Sequence, residues 1–93
     1  MNLRTKGSSV YFVYIVRCAD DTLYTGIATE LERRIEEHNI SDKGAKYTRT
    51  RRPVVLVYHE SYETRSEASR REYHIKKRMS RSEKLLLIRN ANI

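Results

Sequence analysis

The stretch from Val10 to Cys18, Val-Tyr-Phe-Val-Tyr-Ile-Val-Arg-Cys, constrains the fold more than any other part of the chain. β-Branched and aromatic side chains follow one another without a charged break until Arg17. Such a short run reads as a strand mostly covered on both faces. Ala19-Asp20-Asp21 then supplies turn chemistry, and Thr22 to Ile27 reads as a return strand, which makes a hairpin. Gly26 leaves room there for close approach of another backbone or a ligand.

Three helix starts carry the Ser/Thr-x-x-Glu capping signature: Thr29 with Glu32, Thr64 with Glu67, and Ser80 with Glu83. In such a box the hydroxyl accepts from a first-turn amide while the glutamate reaches back to the cap. An amphipathic stretch follows each one, which predicts helices ending near Asn39, Met79 and Arg89. Between the first two lies a basic loop, Ser41 to Arg52, closed by Pro53. The apolar run Val54-Val55-Leu56-Val57-Tyr58 predicts a central buried strand. The element order is β-β-α-loop-β-α-α, in the α+β class. A chain of 93 residues has room for one hydrophobic core. A single domain is therefore expected over residues 10–90, behind a flexible polar arm over residues 1–9.

Charge narrows the partners. Nineteen Lys and Arg against twelve Asp and Glu give a net charge of +7. A field of that sign on a small surface favours nucleic acid phosphates, although a merely soluble basic protein has the same sum. The single cysteine, Cys18, excludes a disulfide framework and a zinc-ligand pair and fits a reducing, cytoplasmic setting. No apolar stretch approaches the ~20 residues that span a bilayer, so no membrane partner is expected.

The informative residues are those that break the apolar pattern. Leu31 and Ile35 mark the buried stripe of the first helix, and Arg34 and His38 fall on or beside it. In the second helix Glu72 sits within the stripe of Ala68, Ile75 and Met79. A charge facing a core is costly unless it is paired, hydrogen-bonded or bound to metal. Arg34 and Glu72 either pair with each other or point into a shared cleft at the sheet surface. Tyr14 and Tyr24 share one sheet face if the hairpin turn holds an odd number of residues, such as Ala19 to Asp21; a two-residue turn separates them. With seven tyrosines in the chain, both also pass as ordinary strand residues.

Phe12-Val13-Tyr14 followed by Tyr24-Thr25-Gly26 resembles the paired motifs of the GIY-YIG nuclease superfamily. Ile27 to His38 looks like that family's first helix, with its arginine at Arg34 and a frequent histidine at His38. Ala68-Ser69-Arg70-Arg71-Glu72-Tyr73 resembles the segment that carries the metal-binding glutamate, at Glu72. Gly44 to Pro53 is similar to the small stand-alone bacterial branch, the YhbQ-like proteins, and to the nuclease domain of Slx-type structure-selective endonucleases. The resemblance covers residues 10 to 80. It departs at Phe12 and Thr25, both spacer positions. Many relatives also carry a separate DNA-binding or zinc module; none is legible here, which leaves the substrate structure open.

The resemblance implies a small three-stranded, largely antiparallel sheet flanked by helices, with Tyr14, Tyr24, Arg34 and Glu72 on one surface. It implies a metal-dependent endonuclease that hydrolyses nucleic acid phosphodiesters, DNA being the expected partner. Glu72 would be the only protein ligand of Mg²⁺ or Mn²⁺, and Arg34 would hold the scissile phosphate with its planar fork. A tyrosine, Tyr14 foremost, would act as general base and Tyr24 would position the water or phosphate. Nearby cations, Arg34 and Lys77 among them, would have to favour the phenolate. His38 reads as a proton relay or phosphate contact, or as a packing residue. The loop residues Lys46, Tyr47, Thr48, Arg49, Arg51 and Arg52, with Lys77 of the second helix, would follow the nucleic acid backbone, with Tyr47 stacking on a base. Two rivals stand beside this reading. One is a non-catalytic nucleic-acid-binding module on the same fold; the other is a basic protein that binds an acidic partner. No obligate protein partner is evident.

Overall fold

A computed structural model describes residues 10–91; the arm expected over residues 1–9 lies outside them. β1 (Tyr11–Arg17) pairs antiparallel with both β2 (Leu23–Ala28) and β3 (Val55–Tyr62), in the order β2-β1-β3. The central strand is therefore the first one. Val13, Tyr14, Ile15 and Val16 are all buried in it, as a strand with neighbours on both edges and helices on both faces requires. The run at Val54 to Tyr58, expected to be central, begins an edge strand instead. Only Val54 of that run is fully buried, and Val55 is 60% exposed. A bulge between Ile15 and Val16 lets β3 pair first Tyr58 and then Leu56, skipping Val57.

The helices are α1 (Leu31–Ile40), α2 (Lys46–Arg49), α3 (Arg65–Arg78) and α4 (Arg81–Ala91). Two of the three capping boxes form. The Glu67 amide donates to Thr64 Oγ1 at 3.1 Å. At Ser80 the exchange is reciprocal, with the Glu83 amide donating to Ser80 Oγ at 3.2 Å and the Ser80 amide to Glu83 Oε1 at 2.7 Å. The Thr29 box does not form. The chain stays extended through Glu30, which caps α1 without a side-chain hydrogen bond, so Thr29 lies one residue too early. The basic loop also hides a single helical turn, α2, which its polar sequence does not announce.

Strand alternation divides the interior in two. Val13 and Ile15 face Ala68 and Ile75 of α3 and Ile88 of α4. Tyr14, Val16 and Cys18 face the other way, with Tyr24, Leu31, Ile35 and Leu56 around them. α3 is tied to β3 by Arg71, whose guanidinium donates to both Glu60 oxygens at 2.8 to 3.1 Å. Tyr62 donates to the same carboxylate at 2.6 Å, and Tyr58 donates to it as well. Burial raises the Glu60 carboxyl, but these donors outweigh it and hold the group below its usual range.

Among the described residues no helix is long and apolar enough to cross a membrane.

Candidate active site

The hairpin turn decides which tyrosines meet. The Cys18 amide donates to the Thr22 carbonyl at 2.8 Å and the Asp21 amide to the Cys18 carbonyl at 2.9 Å, leaving three residues in the turn. Asp21 takes the left-handed conformation, φ 70°, that such a turn needs and that aspartate tolerates. Tyr24 is therefore opposite Val16, while Tyr14 is opposite Gly26. Both tyrosines lie on one sheet face.

Gly26 makes room for Tyr14. A Cβ at position 26 would sit 2.5 Å from the phenol oxygen, so the ring lies directly over this residue. The close approach expected at Gly26 is thus made by a side chain of the neighbouring strand. Only 1% exposed, Tyr14 reaches His38 of α1, with Oη 2.7 Å from Nε2. The other imidazole nitrogen, Nδ1, lies 2.8 Å from Thr48 Oγ1 in α2. His38 and Thr48 are fully buried. Tyr24 closes the other side of His38, its ring centroid 5.5 Å from the imidazole at a steep angle.

Arg34 and Glu72 do not pair with each other. The Arg34 guanidinium donates to Glu37 Oε1 at 3.0 Å and to the Lys43 carbonyl at 2.8 Å. Glu72 Oε2 is 3.3 Å from Lys76 Nζ, the helix neighbour four residues on. Both charges still act on Tyr14. Burial pushes its phenol up to about 12; Arg34 pulls the other way, and Tyr24 and Glu72 add to the rise. Burial thus outweighs the cations that were expected to favour the phenolate. His38 is pushed down to about 4 by burial, with Arg34 adding to it, and is neutral at pH 7.

The structure therefore packs Tyr14 and Tyr24 against His38, with Arg34 and Glu72 near enough for their charges to act on Tyr14. Other expected positions behave differently. Lys77 is exposed, and the cation over the Tyr24 ring is Lys76, 5.8 Å from the centroid. Helical spacing from Glu72 would have singled it out. Thr48 is enclosed and cannot touch nucleic acid; it contacts His38 instead. His38, likewise enclosed, cannot be a phosphate contact. Arg52 is committed to the backbone, with Nε donating to the His38 carbonyl at 2.5 Å and its other end to the Ser41 carbonyl. It satisfies the carboxyl end of α1, a role for which basic side chains are suited. Arg51 donates to Asp20 Oδ2 at 3.0 Å and to the Tyr47 carbonyl at 2.8 Å. Tyr47 is 38% exposed, stacks on Tyr24 at 5.7 Å and carries the Arg51 guanidinium 3.9 Å from its centroid. Lys46 and Arg49 are exposed at the rim. At Arg34 an open cleft of about 330 Å³ is lined also by Ile27, Ala28, Arg33, Glu37 and Arg65; neither tyrosine lines it. Glu37, which holds Arg34, was not expected, although its spacing from Arg34 is that of an ordinary helix pair.

A sheet with this strand order, with two tyrosines on one face and an arginine and a glutamate acting on the buried one, defines a class. Residues 10–85 match the GIY-YIG catalytic domain, and the chain belongs to that family. Its relatives within the family are small bacterial proteins. It is 70% identical over 66 residues to a UPF0213 protein of Desulfotalea psychrophila, a match that covers 71% of this chain and 60% of that relative. It is 59% identical over 78 residues to a UPF0213 protein of Staphylococcus haemolyticus, covering 84% of this chain and 93% of the relative. Among solved structures it is similar to the solution structure of a protein from E. faecalis, with a TM-score of 0.61 at 41% identity, covering 89% of this chain and 86% of that one. A UPF0213 protein from Bacillus halodurans gives a TM-score of 0.54 at 44% identity, covering 85% and 82%.

Proposed function

We propose that this protein is a divalent-metal-dependent endonuclease that hydrolyses nucleic acid phosphodiester bonds, with DNA as the substrate. The observation that carries the reading is that the charges of Arg34 and Glu72, together with Tyr24, act on the buried Tyr14 phenol in a chain of the GIY-YIG family.

The metal follows from the donor set. Among the described residues no three His, Cys, Asp or Glu side chains gather as a metal cage. Glu72 is 24% exposed and belongs to no such group, its charge partner being Lys76 at 3.3 Å. A single carboxylate suits a hard cation that keeps most of its water shell, Mg²⁺ or Mn²⁺, and not a structural zinc site. When bound there, the ion supplies Lewis acidity to the phosphate and its water.

The remaining work falls to side chains. Arg34, its guanidinium steadied by Glu37 and Lys43, presents its remaining N–H groups to the scissile phosphate. Tyr14, once its own proton has left to solvent, takes a proton from the attacking water as the phenolate, and Tyr24 orients that water. The water oxygen bonds to phosphorus, the bond to the leaving oxygen breaks, and the leaving oxygen takes a proton from solvent. A base held near 12 in the free protein makes cleavage rise with pH above neutrality. Lys46 and Arg49 follow the backbone, and Tyr47 with Arg51 offers a stacking surface beside the cut.

The rival is the binding module without turnover. It draws on the same burial of Tyr14, which leaves almost no phenolate at neutral pH to act as a base until a ligand changes its surroundings. Purified protein with Mg²⁺ or Mn²⁺, tested on labelled flaps, branches, nicks and single strands, decides between them. Cleavage that falls at least about 100-fold in Glu72→Gln, with melting and nucleic acid affinity retained, is the expected outcome. If the parent binds the panel and cuts none of it, the binding module is the answer. A variant that cuts as well as the parent removes Glu72 from the mechanism.

A further inference from the structure

The direction of the hydrogen bond between His38 and Tyr14 decides what the histidine does, and the residues behind the ring determine that direction. If His38 carries its proton on Nδ1, Nε2 is free to take the Tyr14 proton and the histidine is a relay. If the proton is on Nε2, His38 donates to the phenol oxygen and cannot accept from it.

Two groups converge on Nδ1. The Ala45 backbone amide points at it from 3.4 Å, a long contact but one whose donor is fixed by the backbone. Thr48 Oγ1 is 2.8 Å away. The Thr48 hydroxyl has one other acceptor within reach, the Ala45 carbonyl at 3.0 Å. That carbonyl already accepts the Thr48 and Arg49 amides, each at 3.1 Å, as the first turn of α2 forms. Its two lone pairs are used, so the hydroxyl turns to the shorter contact. A proton on Nδ1 would face the Ala45 amide hydrogen and push the hydroxyl onto an oversubscribed oxygen. A lone pair on Nδ1 satisfies every donor present.

We propose that Thr48 and the Ala45 amide hold His38 as the Nε2–H tautomer, which makes Thr48 a positioning residue and His38 a donor to the Tyr14 oxygen. The phenol's own proton then points away from the imidazole. Once that proton has left to solvent, the phenolate oxygen keeps the His38 bond and the pull of Arg34. Its remaining lone pair faces the attacking water. The neutrality of His38 agrees with this arrangement, because a second proton on Nδ1 would have to displace both donors. Thr48 lies within the segment read at first as a phosphate-contacting loop; its burial gives it this other task.

The inference rests on the endonuclease reading only for its catalytic consequence, and the test has an arm that needs no turnover. Long-range proton–nitrogen correlation on ¹⁵N-labelled protein at neutral pH reads the two His38 ring nitrogens. Nδ1 should appear as the unprotonated, downfield nitrogen and Nε2 as the protonated one. The reverse pattern, or two averaged signals, overturns the proposal whether or not the protein cuts. In the cleavage arm, Thr48→Val keeps the shape and removes the hydroxyl, while Thr48→Ser keeps the hydroxyl. The valine variant should move the alkaline limb of the kcat–pH profile to higher pH, and serine should restore it. A valine profile of unchanged shape, lower only in height, makes Thr48 a packing residue and overturns its positioning role. If the nitrogen pattern is as expected and no substrate is cut, the hydrogen-bond direction stands and the endonuclease reading falls.

Discussion

Replacing Gly26 by Ala tests the centre of this site with one methyl group. The added carbon would lie 2.5 Å from Tyr14 Oη and 2.7 Å from Cζ, where ordinary contacts begin at 3.4 Å. The phenol must therefore move by roughly 1 Å. It has little freedom to do so, because Tyr14 is 1% exposed and its hydroxyl is held 2.7 Å from His38 Nε2. A shift of that size away from Gly26 breaks the bond or drives the phenol into the imidazole. Losing a buried hydrogen bond costs about 1 to 3 kcal/mol, and overpacking adds about 1 to 3 kcal/mol. Even the lower end takes a large share of a typical ~5 to 15 kcal/mol stability, and lowers the melting temperature by about 10 °C in a domain of this size. Thermal and urea unfolding followed by circular dichroism measure the change. The same substitution in a Tyr14→Leu background should cost only about 1 kcal/mol or less, since no phenol then lies over position 26. Equal costs in the two backgrounds would refute the idea that Gly26 exists to seat Tyr14. Wild-type stability in the single variant would do the same.

The pH dependence of stability should carry a mark of His38. In the unfolded chain it takes a proton near its ordinary value of 6.5, whereas the folded protein refuses one until about 4. The unfolded state binds more protons in that window, so stability should fall as pH drops from 6.5 towards 4, and the fall between 6.5 and 5 should vanish in His38→Gln. The loop cations divide by exposure: Lys46 and Arg49 are exposed, although Arg49 also donates to the Asp42 carbonyl at 3.1 Å, whereas Arg52 is half-buried on the end of α1. Lys46→Ala with Arg49→Ala should lower the salt slope of nucleic acid binding by about two. Arg52→Met should leave that slope unchanged and lower stability by about 1 to 3 kcal/mol, because the carbonyls of His38 and Ser41 lose their donor. Slopes that respond the other way round would reverse these assignments. Thr64→Ala should cost about 1 kcal/mol and Thr29→Ala about 0.5 kcal/mol or less, since only the first is a working cap. Equal losses on urea unfolding would show that the Thr29 box forms after all.

Much of the site was legible wherever a local rule applies. Alternation along β1 tied the question of whether Tyr14 and Tyr24 share a face to the turn length, which the sequence left open and the three-residue turn settled. Helical periodicity exposed Arg34, His38 and Glu72 as polar groups in apolar stripes, and the caps of α3 and α4 are written in four-residue motifs. These are short-range properties, set by backbone geometry that each segment carries with it.

The partners of those residues were decided elsewhere. Whether Arg34 meets Glu72 or Glu37, and whether Lys76 or Lys77 reaches Tyr24, depends on the crossing of helices and sheet. The path of residues 41–54 depends on contacts far apart in the chain. Gly44 passes so close to α1 that a Cβ there would meet the Glu37 carbonyl oxygen at 2.8 Å. That approach buries Thr48 against His38 and turns Arg52 onto the end of α1. A basic loop read by composition looks like a surface for phosphates. Only the folded chain, which must satisfy every buried backbone carbonyl, divides it into the cations that hold the helix and those left at the rim.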